Sequence, residues 1–495
     1  MTVGGGMVAA GHPATAEVGA RVLREGGNAV DAAVASVLAS WVCEPLLTGP
    51  GAGGYMLVAG AGEAPVLLDF FVAAPGAGAA AGDHAALVPV EISFGDATQV
   101  FNCGPASCAV PGSPAGLAEA AERWGSLPLA DLAAPAAALA RAGVPLNTQQ
   151  AYIFALLEGI LMTTAESRRE FAPAGRPLRE GERFASDELA ETIERLGRDG
   201  GAPFHSGDIA AQIAAHVGAG GGQLGERDLA DYAPITREPV DTAYRGRRVL
   251  TNPPPSAGGV LLALAFARLD ATTTGVPTAA ELVGVMEDVQ ALRTTEFTAG
   301  LGEPGFLERF LAANLGSTTH VSVLDDDGRA CSVTCTNGSS SGVVVPGTGI
   351  HLNNIMGEED LNPHGFFSTP AGRRMPSMMA PTVVLGGGGD VELVLGSAGS
   401  NRIRSAILQV VVNVVDRGMA AGAAIDAARL HVEGGVLYAE PGQGLGELPD
   451  GGREIVRFRE PNLFFGGVQA VERDPRSGVI SGGGDPRRGG CAVGA

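Results

Sequence analysis

Ser317-Thr318-Thr319-His320-Val321-Ser322-Val323 is followed by Leu324, the run Asp325-Asp326-Asp327-Gly328, and a stretch ending Thr334-Cys335-Thr336-Asn337. The alternation at Val321 and Val323 predicts a half-buried strand. The Asp-Asp-Asp-Gly run is a hairpin turn signal, after which Cys331, Val333 and Cys335 resume a period of two. Folding the two runs back about that turn sets Thr336 opposite Thr318, or one residue off it. By spacing alone an ordinary cross-strand threonine pair is the better reading. The same spacing also suits a nucleophile made from a chain-terminal threonine, which would require a cut between Ser317 and Thr318.

The 495 residues suffice for one large domain or two to three ordinary ones, and 45% hydrophobic residues allow a large core. The net charge of −21 and the complete absence of lysine exclude a nucleic-acid-binding face and a polybasic membrane anchor. The N-terminal stretch before Gly11-His12 has neither a charged region nor an apolar one, and no transmembrane run is visible, so the expectation is cytoplasmic residence, or secretion if a signal has already been removed. Cys43, Cys103, Cys108, Cys331, Cys335 and Cys491 fit no zinc spacing and no disulfide framework. The eight histidines include no pair at metal-ligand spacing, and no metal or cofactor is expected.

Working outward, residues 14–26 carry helical spacing, and Asn28 is placed to cap an Ala/Val-rich helix reaching about Trp41. Gly49-Pro50-Gly51-Ala52-Gly53-Gly54 then leads into the strand Tyr55-Met56-Leu57-Val58. Residues 110–235 read as mostly helical. Asn252-Pro253-Pro254-Pro255-Ser256-Ala257-Gly258-Gly259 introduces an apolar helix to about Leu269, and residues 299–317 read as an exposed linker. Strands at 382–396, two helices between about 402 and 431, and a Gly-rich tail of short strands complete the chain. Helices and strands in blocks point to layered packing.

Four features lose to plainer readings. Gly49-x-Gly51-x-x-Gly54 follows a helix and precedes a strand, the reverse of a dinucleotide site. Gly338-Ser339-Ser340-Ser341-Gly342 has the spacing of a nucleophile elbow, but Val343-Val344-Val345-Pro346 cannot start the helix it needs. It reads instead as a Ser-rich loop on the substrate side. His320 reads as a structural histidine, and Asp325 to Asp327 as a solvated turn that lacks the other ligands of a calcium loop.

Several segments together resemble the γ-glutamyltranspeptidase family of N-terminal-nucleophile hydrolases. They are Gly26-Gly27-Asn28-Ala29-Val30-Asp31-Ala32-Ala33-Val34-Ala35, Pro253-Pro254-Pro255-Ser256-Ala257-Gly258-Gly259, Thr318-Thr319-His320, Gly349-Ile350-His351-Leu352-Asn353-Asn354, Met379-Ala380-Pro381-Thr382, Gly396-Ser397-Ala398-Gly399-Ser400-Asn401-Arg402-Ile403 and Gly484-Asp485-Pro486-Arg487. The resemblance implies an α+β fold, a four-layer αββα sandwich with two antiparallel sheets between helix layers. It implies autocleavage into a large chain, 1–317, and a small chain, 318–495, which together form one composite domain and a processed heterodimer. It makes Thr318 the nucleophile, with its freed α-amino group (reference pKa about 7.7–8.0) as base. By the same analogy Thr336 orients the Thr318 hydroxyl. The resemblance also implies that the backbone N–H groups of Gly399 and Ser400 form the oxyanion hole, each donor supplying about 3–4 kcal/mol. The second position is usually glycine, but a backbone donor survives the change to serine.

The substrate half departs from the family pattern. Where the family has an Asp-Phe-Arg segment whose arginine holds a glutamyl carboxylate, Asp69-Phe70 is followed by Phe71, and no arginine occurs between Arg24 and Arg123. Gly338 stands where an asparagine is usual, although Asn337 lies next to it. Ile355 replaces an amide or acid, while Glu358 survives; of a serine pair, Ser377 remains and Met378 replaces its partner. The short segment 362–374 argues against a long lid. The substrate is expected to be a small-molecule amide. Family habit favours a γ-glutamyl donor of the glutathione kind, passed to water or an amine. The replaced contacts favour an amidase for another acyl group. An uncleaved, non-enzymatic binding protein would be expected to have lost Thr318 or Thr336, and both are present.

Overall fold

The computed structural model describes residues 5–78, 82, 84–93, 98–291, 318–362, 365–443 and 453–495. Ser317 and the expected linker at 299–317 lie outside the described residues. The chain is mixed α/β, built around two large sheets that are antiparallel throughout.

The hairpin that opens at Thr318 lies in the middle of a seven-stranded sheet. Thr319–Leu324 pairs with Arg329–Thr336, with Thr319 opposite Cys335 and His320 opposite Thr334. The next pair out in that register is Thr318 and Thr336. Gly53–Gly60 adds to the far side of Arg329–Thr336, and Met7–Ala10 to the far side of Thr319–Leu324. Alternation then sorts the side chains. Val321, Val323, Cys331, Val333 and Cys335 face a cluster containing the helix Ala29–Cys43, while His320, Ser322, Ser332 and Thr334 face the second sheet.

Ala29–Cys43 is buried along its whole length, which its small Ala, Val and Ser side chains permit. Asn28 caps it as the sequence indicates, in a capping box with Asp31. The buried Asp31 carboxylate also accepts from the Ser126 and Leu127 backbone and the Ser126 hydroxyl. The acidic turn differs from expectation. Asp326 and Asp327 are exposed, but Asp325 is buried and accepts from the Ala29 and Arg329 backbone N–H groups. It serves the N-terminus of that helix, where a carboxylate is favoured.

The second sheet has six strands, among them Arg247–Thr251, Thr382–Leu385, Val391–Ala398 and Gly467–Arg473. One face packs on the first sheet through Leu250, Val383, Leu385, Val394 and Val471, which share a cluster with Tyr55, Leu57, Leu67 and Phe71. Its other face carries Val249, Val384, Leu393 and Leu395 against the helices Ala257–Thr272 and Arg402–Val415. A polar seam joins the sheets near Thr318. Ser322 donates to the Gln469 carbonyl at 3.1 Å and Ser332 to the Leu395 carbonyl at 3.0 Å.

Candidate active site

Thr318 is 1% exposed, and its Oγ has no partner among the described residues. Thr336, the last residue of its strand, is buried, and its Oγ accepts from the Gly338 N–H at 2.8 Å. That bond occupies an acceptor site and leaves the Thr336 hydroxyl proton for donation. His320 is not part of this chemistry. Its nitrogens meet Thr334 Oγ at 2.8 Å and Ser322 Oγ at 2.9 Å, and burial pushes its pKa down to about 3. It is a neutral, fully bonded histidine in the polar seam.

Gly399 and Ser400 reach the same end of the sheets. The strand Val391–Ala398 starts beside the hairpin turn, where a Cβ on Gly60 would lie 2.8 Å from Val391. Farther along, Gly396 lies flat against the His320 ring. Continuing in that direction brings Gly399 and Ser400 to the end where Thr318 and Thr336 stand. Both have positive φ, +118° and +58°, and a Cβ on Gly399 would come within 2.6 Å of Gly466. They lead into the helix Arg402–Val415, whose N-terminal dipole favours negative charge nearby.

The remaining expected residues divide. Glu358 is buried and accepts from the Ser339 N–H at 2.8 Å and the Ser339 hydroxyl at 3.0 Å. Gly338 packs against it: a Cβ there would lie 2.7 Å from Glu358 Oε1 and collide with Asn354 Oδ1, at φ +63°. Phe71 and Ile355 fall in one apolar cluster with Tyr55, Met356, Met375 and Met379. The Phe71 ring stacks on Tyr55 at 5.6 Å. Asn337 and Ser377 are engaged with backbone. The Asn337 amide donates to the His351 carbonyl at 3.0 Å, and Ser377 Oγ accepts from Met379 N–H at 3.0 Å. The structure therefore gives neither a bond directed at Thr318.

Two features were not read from the sequence. Arg237 and Arg374 converge on the buried Asp69, at 2.7 and 3.3 Å. Guanidinium groups therefore do stand near Phe71, brought by remote segments. Both are committed to Asp69, and Arg374 also lies over Tyr232, 4.2 Å from the ring centroid. The second is Glu44, the C-cap of Ala29–Cys43 and the one charged residue between Asp31 and Glu63. That isolation was the available signal. Its Oε2 accepts from Thr319 Oγ at 2.8 Å, and its Oε1 has no partner among the described residues. Burial pushes its carboxyl up to about 7, against the pull of the Thr319 hydroxyl and the charge of Arg488.

The family model for γ-glutamyltranspeptidase matches residues 15–308 and 295–495. The chain belongs to the γ-glutamyltranspeptidase family. An acylase ACY 1 proenzyme from Pseudomonas sp. (strain SE83) is 30% identical over 96% of this chain and 91% of its own length. A glutathione hydrolase proenzyme from Bacillus subtilis (strain 168) is 29% identical over 99% of this chain and 91% of its own. The crystal structure of a cephalosporin acylase from Bacillus halodurans superposes with a TM-score of 0.82 at 27% identity, covering 100% of this chain and 96% of that one. As a member of the γ-glutamyltranspeptidase family, the chain is an enzyme of the N-terminal-nucleophile hydrolase type.

Proposed function

We propose that the chain cuts itself between Ser317 and Thr318 and then cleaves amides through an acyl ester on Thr318. The observation that carries this reading is the register that sets Thr318 against Thr336, with the Gly399–Ser400 turn at the same end. The processed pair would be 1–317 and 318–495, and the helix–sheet–sheet–helix packing supports reading the fold as the αββα sandwich of this enzyme type. The freed α-amine of Thr318 takes the Oγ proton, and Oγ attacks the substrate carbonyl carbon. The oxyanion is received by the Gly399 and Ser400 N–H groups while Thr336 holds Oγ in line. The leaving amine takes the proton as the C–N bond breaks. Water or a second amine then attacks the ester and releases the acyl group.

The acyl group this site suits best is not glutamyl. Phe71 and Ile355 are packed in a buried apolar cluster with Tyr55, Met356, Met375 and Met379, and the nearby arginines are held by Asp69. A glutamyl carboxylate buried there without a guanidinium would cost several kcal/mol, of order 3–5. The likeness to a cephalosporin acylase and an acylase ACY 1 proenzyme agrees with this. The second reading, γ-glutamyl transfer or hydrolysis, draws on the glutathione hydrolase relative and on the retained Glu358. Turnover of γ-glutamyl anilide against neutral acyl anilides separates them. Neutral donors are expected to win by at least about tenfold in kcat/KM, about 1.4 kcal/mol in barrier. Efficient γ-glutamyl turnover would reject the acylase reading.

A further inference from the structure

The Gly399–Ser400 turn contains a conformational demand that glycine alone would not have. Ser400 has φ +58°, in the left-handed region that a residue with a Cβ enters at a cost. The residues immediately after it are gripped by one carboxylate from another part of the chain. Glu433 ends the strand Leu430–Glu433, which forms a hairpin with Val436–Ala439. The Asn401 side-chain amide donates to Glu433 Oε1, and the Arg402 guanidinium lies 3.8 Å from Oε2. Arg402 is itself fixed, donating from Nε to the Phe464 carbonyl at 2.9 Å and stacking over the Phe464 ring.

The same carboxylate reaches one turn farther along the helix Arg402–Val415. His431 Nε2 lies 3.3 Å from Glu433 Oε2, and His431 Nδ1 lies 2.8 Å from Ser405 Oγ. The bonds fit a neutral imidazole with its proton on Nε2, donated to Glu433, while Ser405 donates to Nδ1. Gln409, a turn beyond, exchanges two 2.9 Å bonds with the Leu430 backbone and docks the hairpin on the helix. Burial raises the Glu433 carboxyl, but His431, Arg402 and Arg404 outweigh it and hold the group down at about 2. It is ionised throughout the working range.

Ser405, His431 and Glu433 have the composition of a hydrolytic triad. Ser405, however, is 7% exposed and borders a cavity of about 20 Å³, far too small for a substrate. The relay braces the helix N-terminus instead. We propose that Glu433 is a positioning residue of the oxyanion hole, acting through Asn401 and Arg402 to hold the Ser400 N–H on the oxyanion. The inference rests on the proposed function, which gives Gly399 and Ser400 that role.

The test is a double-mutant cycle on the processed enzyme, using an acyl anilide that the unmodified protein turns over and crossing Glu433→Gln with Ser400→Gly. Glu433→Gln is expected to lower kcat about tenfold with KM within about twofold, the pattern of a contact realised in the transition state. Glycine adopts the left-handed conformation unaided, so in the Ser400→Gly background the same substitution should cost less than about threefold. Melting temperatures of the four proteins should show the same coupling. An unchanged kcat in folded, processed Glu433→Gln, a loss confined to KM, or equal losses in both backgrounds would overturn the proposal. An unmodified protein that turns over no amide would sink the proposed function instead, with the melting cycle still reporting the clamp.

Discussion

At the scale of single residues, the departures from the family pattern are built into their surroundings. Gly338 cannot simply be returned to asparagine, because its Cβ would meet Asn354 and Glu358 at a positive φ. Gly338→Asn is expected to destabilise the protein by about 2 kcal/mol or more and to lower activity, read from a urea midpoint and kcat/KM. A gain in γ-glutamyl turnover would contradict this account. Phe71→Arg should likewise fail as a repair. Asp69, the acid two residues away, already holds Arg237 and Arg374. A loss of about 3 kcal/mol or more is expected, with no new γ-glutamyl activity. The replacement of the arginine was legible from Asp69-Phe70-Phe71. The arrival of Arg237 and Arg374 at Asp69 was not, because contacts over 168 and 305 residues leave no local pattern.

At the scale of elements, the strands and turn of the Thr318 hairpin were readable from its alternation and its turn residues. The expectation of a half-buried strand was wrong: Thr319–Leu324 is buried on both faces, because its polar side packs on the second sheet. The period of two in Val321, Val323, Cys331 and Val333 is what a strand with one helix-facing side demands. The capped helix after Asn28 was readable for the same reason. Asp325 was misread as solvated: its acceptor role depends on the Ala29 N–H, 296 positions away. The fit between the two sheets could not be read either. Gly396 is in contact with the His320 ring, and a Cβ there would lie 2.5 Å from Nδ1. Gly396→Ala is therefore expected to cost about 1–3 kcal/mol by overpacking, seen as a lower denaturation midpoint. It should also slow turnover, since His320 lies two residues from Thr318. An alanine variant as stable and active as the parent would mean the sheets are less tightly matched than described.

At the scale of the whole molecule, buried ionisable groups set opposing pH dependences. His12, His205, His320, His351 and His431 are all held below the ordinary 6.5 by burial, to about 4, 4, 3 and 3 for the first four. A depressed folded pKa gives stability present above about 6.5 and lost as pH falls toward those values. Glu44 works the other way. Raised from 4.5 to about 7, it contributes stability present below 4.5 and lost as pH rises through 7. The urea midpoint is thus expected to fall between pH 7.5 and 5, and to fall more steeply in Glu44→Gln. A shallower fall in that variant would refute the assignment of Glu44 as a buried, proton-holding acid. Family membership was legible at this scale from motifs in their order along the chain. The surroundings of Phe71 and Ile355 were not, since they are assembled from Tyr55, Met375 and Met379, residues far apart along the chain.

The central claim is that Thr318 becomes a chain terminus and then the nucleophile. Intact-mass analysis of the purified protein, with N-terminal sequencing of each species, tests it most directly. The expected result is two chains in equal amount, the smaller beginning at Thr318, and a single uncut, inactive chain for Thr318→Ala. One uncut species of 49.8 kDa that nevertheless hydrolyses amides, or a cut at another bond, would contradict it.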